Sequence, residues 1–213
     1  MAQPPRPAPM FPTYLWSTSI DDETRASLDP AINATVRQIL AEELAKPLVK
    51  THQTHQQLHH LPEFAPLVAA AVEAGGAILD AFDAEQRDMV MTGCWANLGV
   101  PQASHVAHHH PNNFLSGVYY PVVPSGGDRI VFHDPRPQTQ IIVPRFKKYN
   151  QYNGSGVTVG IKAGAMLLFP AWLTHSVPSN NSQGERLSIA FNLNFTQFTE
   201  TVSPPRWEGT GVM

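Results

Sequence analysis

From Met89 onward the 213-residue chain breaks into short, half-apolar runs separated by turn residues, and this texture limits its fold more than any other feature. The runs span 89–97, 114–122, 129–132, 140–143, 157–161, 166–169 and 186–195. Pro-Ser-Gly-Gly-Asp (124–128), Asn-Gly-Ser-Gly (153–156), Lys-Ala-Gly (162–164) and Ser-Asn-Asn-Ser (179–182) separate several of them. Many short strands with frequent turn signals predict a β-sandwich, jelly roll or barrel. No internal repeat is visible.

The chain before Met89 reads differently. Residues 1–13 are proline-rich and predict a poorly ordered arm, and 14–20 predict a short strand. Asp29-Pro30 reads as the N-cap and first residue of a helix. Ile32, Val36, Ile39, Leu40 and Leu44 follow at helical spacing, and Pro47 stops the run. A second helix starts near Pro62, with Leu67, Val68, Ala71, Val72, Ile78, Leu79 and Phe82 on its apolar face and Gly75-Gly76 interrupting it. The expected organisation is an N-terminal arm and helices (1–88) packed on a β core (89–213), as one integrated domain. The ending SPPRWEGTGVM reads as a surface tail.

Charge narrows the partners. A formal net charge of −3 gives no basic surface for nucleic acid or an anionic membrane. No apolar run reaches the length of a membrane span, and the N-terminus lacks the basic-then-apolar order of a secretion signal. The single cysteine, Cys94, permits no internal disulfide and reads as a small buried hydrophobe. A cytoplasmic location and a homodimer are the default expectations.

The chemistry concentrates in HVAHHHPNNF, residues 105–114, directly before the apolar run LSGVYYPVV. In an extended segment side chains alternate, so His108 and His110 face one way and His109 the other. His105, three residues earlier, faces away from His108. Two imidazoles on one strand face can hold a divalent ion at ~2.0–2.1 Å, with a third ligand supplied from elsewhere. His175, in LLFPAWLTHSV, is the candidate: a histidine between apolar strands is costly to bury without a partner. Arg186 opens the last strand two residues before Ser188, and an inward arginine there requires an anionic partner such as a small-molecule carboxylate. Ser188, on the same face, adds a hydroxyl. Of Tyr119 and Tyr120 one must point inward. Trp95, Asn97 and Asn192 are expected to line the pocket. The polar stretch THQTHQQLHH (51–60) reads as a solvated segment, with a place beside a cleft as the alternative.

Four motifs in order, His-x-His-Pro…Leu-Ser-Gly-Val-Tyr-Tyr (108–120), Phe-His-Asp-Pro-Arg (132–136), Gly-Ala-Met-Leu-Leu-Phe-Pro-Ala-Trp-Leu-Thr-His (164–175) and Glu-Arg-Leu-Ser-Ile-Ala-Phe-Asn (185–192), give the chain a family likeness. It resembles a bacterial and phage family of iron(II)- and 2-oxoglutarate-dependent oxygenases. The resemblance implies a mainly β, double-stranded β-helix (jelly roll or cupin-like) with the N-terminal helical section packed on it. It also implies iron(II) and 2-oxoglutarate as cofactors and oxidation of a C–H bond. By the same resemblance His175 is the distal metal histidine and Arg186 grips the far carboxylate of 2-oxoglutarate; Ser188, Tyr120 and Asn192, from their own positions on the strands, are the further expected cofactor contacts. The substrate is expected to be a small molecule, an amino acid or a biosynthetic intermediate.

The third ligand departs from the wider superfamily, which uses His-x-Asp or His-x-Glu. No histidine in this chain has Asp or Glu two residues later. The slot holds His108-x-His110, or His110-x-Asn112. Two sites stay open: a three-histidine set of His108, His110 and His175, or a borrowed carboxylate, with Asp134 first in line. A three-histidine site also leaves open a dioxygenase that uses no keto acid, and a β-sandwich binding module without catalysis is the remaining alternative.

Overall fold

The structure, a computed structural model, describes residues 6, 10–45, 50–150 and 152–196. Its ten strands are β1 (Trp16–Ser19), β2 (Thr51–Gln53), β3 (Met89–Gly99), β4 (His105–His108), β5 (Leu115–Val122), β6 (Arg129–His133), β7 (Gly156–Gly160), β8 (Ala165–Pro170), β9 (His175–Val177) and β10 (Arg186–Phe195). They form an antiparallel six-stranded sheet ordered β1-β8-β5-β10-β3-β2 and a four-stranded sheet ordered β4-β9-β6-β7. From β3 to β10 the chain shuttles between the sheets, giving β3, β5, β8 and β10 to the larger and β4, β6, β7 and β9 to the smaller. This is the double-stranded β-helix, mainly β, that the texture and the resemblance predict.

Six of the seven strands expected from Met89 onward hold to within a residue or two. The run at 140–143 does not: Pro137–Gln140 is a 3₁₀ turn, and Ile141 and Ile142 are 76% and 88% exposed. Pro135, Pro137 and Pro144 bracket the run and remove ladder donors, so its β-branched residues find no sheet to join. The strands β2, β4 and β9, each of three or four residues, are too short and polar to be separable from loops by pattern.

The first helix, α1 (Asp22–Ile39), begins earlier than expected. Asp21 caps it, its carboxylate accepting the Thr24 N–H at 2.8 Å, and Asp22 and Glu23 fill the first turn. Asp29 is therefore free of the capping role. It pairs with Arg25 at 3.0 Å and accepts the Tyr119 hydroxyl from β5. Pro30 sits inside the helix. A short helix α2 (Ala41–Leu44) follows, while Pro47 and the C-terminal tail lie outside the described residues.

The second helix, α3 (Ala65–Ala81), runs unbroken through Gly75-Gly76 after a 3₁₀ turn at Pro62–Phe64. A Cβ on Gly75 would sit 2.4 Å from the Met89 sulfur, so glycine here lets the helix settle against β3. Together Pro62–Ala81 make a 20-residue helical run of mean hydropathy 1.5, long and apolar enough to span a membrane. That corrects the expectation that no run reaches this length; Glu63, Glu73 and Asp80 break the pattern in sequence without lowering its mean hydropathy below that of a span. Leu67, Ala71, Gly75, Ile78 and Leu79 form the buried face of α3. Helices α1 and α3 and the outer face of the larger sheet enclose one core, built around Ile32, Val36, Leu67, Leu98, Ile189 and Phe191. A second, smaller core between the sheets includes Val118, Ile130, Phe132, Leu167 and Phe169.

Within LSGVYY, Gly117 faces Phe191 across the strand pair, and a Cβ there would lie 2.2 Å from the Phe191 ring and 3.0 Å from the Leu167 carbonyl. Phe191 is fully buried and has nowhere to move. Gly117→Ala is expected to destabilise the fold by about 1–3 kcal/mol through overpacking. Gly160→Ala, whose Cβ meets nothing within 4 Å, should change stability little. Denaturant unfolding of the two variants checks the difference.

Candidate metal centre

Two short strands build the site. β4 and β9 are antiparallel, and His108 lies directly opposite His175, with ring centroids 4.4 Å apart. His110 follows just past the end of β4, its backbone N–H donating to the Ala171 carbonyl at 2.9 Å. Its ring stands 5.1 Å from that of His108 and 5.2 Å from that of His175. Asn112, at φ 65°, then turns the chain back into β5, in the left-handed region that asparagine tolerates. One ring nitrogen from each of His108, His110 and His175 lies within 4.8 Å of the others. Among the described residues this is the only such cluster of histidine, cysteine and acidic side chains, and it contains no carboxylate.

Ring orientation favours a ligand role. Nδ1 of His108 lies 2.8 Å from the Val106 carbonyl, and Nδ1 of His175 lies 3.0 Å from the Leu173 carbonyl. With Nδ1 donating to these carbonyls, Nε2 keeps its lone pair for an ion. Burial first, then the neighbouring histidines, hold His110 and His175 well below the ordinary imidazole range, at about 4. Both rings are therefore neutral at pH 7, the form that binds a cation.

The same cavity, of about 400 Å³, holds His108, His110, His175, Trp95, Asn97, Tyr120, Arg186, Ser188 and Asn192. Arg186 is 3% exposed. Its guanidinium donates to the Gly127 carbonyl at 3.1 Å and has no carboxylate partner among the described residues. Burial lowers its pKa from the usual arginine value, an effect opposed by the nearby Tyr120 phenol. Of the tyrosine pair, Tyr120 faces this cavity and burial raises its pKa, while Tyr119 points to the helical side and Asp29. Asn192 accepts the Ser116 hydroxyl at 2.8 Å. Burial pushes the Cys94 thiol up to about 12, consistent with a packed, unreactive side chain.

Several expectations change. His109 is exposed, as alternation predicts, but His105 faces the cavity with His108. Between the pairs His105↔Val177 and His108↔His175, β4 advances three residues and β9 two, so an irregularity in β4 reverses the expected facing. Asn112 is exposed in the turn and does not enter the cluster. Asp134, the candidate carboxylate, is outside the cluster: Arg136 holds it through Nε and a second nitrogen, each at 2.9 Å. The Arg136 side chain, first of all, holds Asp134 below the usual carboxylate range. Gln53 and Gln56 also line the cavity. They belong to the 51–60 stretch, half of which is exposed as the solvated reading expects, but which also forms the edge strand β2, buries His52 and takes the place beside a cleft that was the alternative. Thr51, His52, Gln53 and Thr54 are all polar, so no apolar alternation in the sequence marks the strand.

The depressed histidine pKa values set a pH dependence. Between the ordinary imidazole value near ~6.5 and about 4, the unfolded chain binds protons that folded His110 and His175 do not. The stability they contribute is thus present at pH 7 and lost as pH falls from about 6.5 to about 4. Unfolding midpoints of the metal-free protein across this window should fall, and should fall less steeply in His110→Ala.

Residues 93–192, just under half of the chain, match the family described as "Putative 2OG-Fe(II) oxygenase". No curated protein sequence matches the chain. The fold resembles the non-heme alpha-ketoglutarate-dependent epimerase SnoN of nogalamycin biosynthesis, at 16% identity and TM-score 0.59, over 86% of this chain and 79% of that one. It also resembles a Pseudomonas putida prolyl-4-hydroxylase, at 16% identity and TM-score 0.55, over 86% and 93% of the two chains. A third is HygX from Streptomyces hygroscopicus, solved with nickel and 2-oxoglutarate bound, at 12% identity and TM-score 0.57, over 88% and 85%. At these identities the structural likeness is one of fold. The family match over residues 93–192 and the likeness of fold point the same way, to similarity with 2OG-Fe(II) oxygenases.

Proposed function

We propose that the protein is a non-haem iron(II) dioxygenase that uses O₂ and 2-oxoglutarate to hydroxylate a small molecule, an amino acid or a biosynthetic intermediate. The observation that carries this reading is one cavity holding three converging imidazoles and a buried arginine with no carboxylate partner among the described residues. His108, His110 and His175 would hold the iron through their ring nitrogens, and three protein ligands leave coordination positions for a bidentate keto acid and O₂. Arg186, nearly fully buried, needs an anion, and the far carboxylate of 2-oxoglutarate would satisfy it. Ser188, two residues along the same face, and Tyr120 add hydroxyls to that end of the cavity. Iron(II) with 2-oxoglutarate and O₂ supplies the oxidising power: one oxygen atom goes to the substrate C–H, the other to succinate, and carbon dioxide leaves.

The chain's own groups prepare this chemistry in two ways. Three neutral imidazoles leave the ion's double charge uncompensated by protein, which favours a dianionic keto acid electrostatically. The carbonyls of Val106 and Leu173 fix two of the rings in place before any ligand arrives. The absence of a carboxylate from the cluster favours, as a second reading, a three-histidine dioxygenase that works without a keto acid.

Anaerobic loading with iron(II), followed by O₂, ascorbate and 2-oxoglutarate, should give succinate. His108→Ala, His110→Ala and His175→Ala should each lose most of the bound iron, and His109→Ala should keep it. Iron retained in His110→Ala but lost in Asp134→Ala would mean a two-histidine, one-carboxylate site. Arg186→Ala should raise KM for 2-oxoglutarate about ten- to a hundredfold, as expected for removing a charge-assisted pair. Activity unchanged in Arg186→Ala and independent of 2-oxoglutarate would sustain the second reading instead.

A further inference from the structure

The cavity has a wall that neither metal nor keto acid uses. β2 pairs with β3, and β3 with β10, in a register that sets Gln53 opposite Asn97 and Asn97 opposite Ser188. All three side chains line the cavity, so polar groups run in a row across three strands about 4.8 Å apart. Gln56 extends the wall beyond β2, its backbone carbonyl accepting the Cys94 N–H of β3 at 3.0 Å. The edge strand is held firmly, because the Thr54 hydroxyl accepts the Ala96 N–H at 2.9 Å and the Thr54 N–H donates to the Ala96 carbonyl at 3.1 Å. Asn97 is 9% exposed and its side-chain oxygen has no hydrogen-bond partner. A buried amide oxygen without a partner is rare in a native fold and calls for a donor from a ligand. Trp95, two residues before Asn97 on the same face, rests its indole 5.5 Å from the His110 ring and so connects this wall to the metal cluster.

Charge sets the complement. Among the described residues the cavity lining contains no Asp, Glu or Lys, and its one permanently charged side chain is Arg186. With Arg186 committed to the keto acid, no group remains to neutralise a charged substrate, and burying an unpaired charge is costly. Carboxamides both donate and accept, so they suit hydroxyl and amide groups. We infer that Gln53, Gln56 and Asn97 form the substrate-recognition wall, and that the substrate is an uncharged polar molecule presenting a hydroxyl or amide hydrogen to Asn97. This rests on the oxygenase reading and narrows it away from amino acids.

The test uses a matched set of small cyclic compounds bearing hydroxyl or carboxamide groups, their amine and carboxylate counterparts, and free L-amino acids. Two readouts are taken: succinate formed by the iron-loaded protein with 2-oxoglutarate, and quenching of Trp95 fluorescence in the metal-free protein, with Trp95→Phe as the reference. Neutral members should quench Trp95 and stimulate succinate most. Asn97→Leu should weaken both responses about tenfold, the loss expected when a buried polar contact is left unmade, and Gln53→Leu, at the exposed rim of the wall, should weaken them in the same direction by less. Gln57→Leu, exposed and outside the cavity, should leave them unchanged. Asn97→Asp, nearly the same shape, should shift preference toward the amine counterparts. Amino acids or charged counterparts acting best, no neutral compound quenching Trp95, or full responses in both leucine variants would each overturn the inference. Loss of succinate with every compound, while neutral compounds still quench Trp95, would sink the oxygenase reading and leave the wall standing.

Discussion

The structure depends on one cross-strand pair. His108 and His175 face each other across β4 and β9, and every other part of the centre is placed relative to them. Side chains in a strand alternate, so a slip of one residue in this pairing would turn one imidazole out of the barrel. The register is pinned from both sides. β6 pairs with β9 through Phe132↔His175, and the His110 N–H ties the chain after β4 to Ala171 just ahead of β9. Phe132 and Phe169 pack around the His175 ring, with centroids 6.1 and 4.7 Å away. A polar site is thus fixed by apolar packing, which explains how two strands of only three or four residues can hold it.

Much of this was legible in sequence because it obeys a period of two. His108-x-His110 before an apolar strand, His175 after one, and Arg186-x-Ser188 opening the last strand all follow strand alternation, and all five line one cavity. What could not be read breaks the period or depends on distant partners. His105 turns inward because β4 gains a residue against β9, an irregularity that leaves no mark in composition. Gln53 matters only because three residues reach the edge of β3, where its partner Asn97 lies 44 residues later in the chain. Asp29 looked like a cap because Pro30 follows it. Its partners are Arg25 and Tyr119, the second of which is 90 residues away. The apolar run at 140–143 had strand propensity, but prolines and the lack of a neighbouring edge leave it exposed.

The charge economy of the cavity is unusual in its simplicity. Four imidazoles and four carboxamides share the cavity with a single cation, Arg186, and no acidic side chain among the described residues pairs with it. A buried guanidinium of this kind is destabilising until an anion arrives, so ligand binding and local stability are linked. The strands that frame it, β3 and β10, form the longest pairing in the molecule, and the six-stranded sheet supplies the rigidity that the cavity itself lacks. The split between a stiff frame and an incompletely satisfied interior is the general arrangement of a site built to receive something.

The two outer strands of the larger sheet carry a further consequence, for the order of assembly. β1 and β2 both precede the barrel in the chain, yet each occupies an edge of the larger sheet, β1 beside β8 and β2 beside β3. Trp16 pairs with Leu168, most of the described chain away. During synthesis the first strand therefore emerges long before its partner exists, and it must wait for nearly the whole barrel before its backbone groups are met. Closing such a distant contact is slow, and the apolar edge of β8 stays open to other strands until it happens. The cavity, which takes its wall from β2 and its arginine from β10, is complete only after an early strand and the last one have both joined β3.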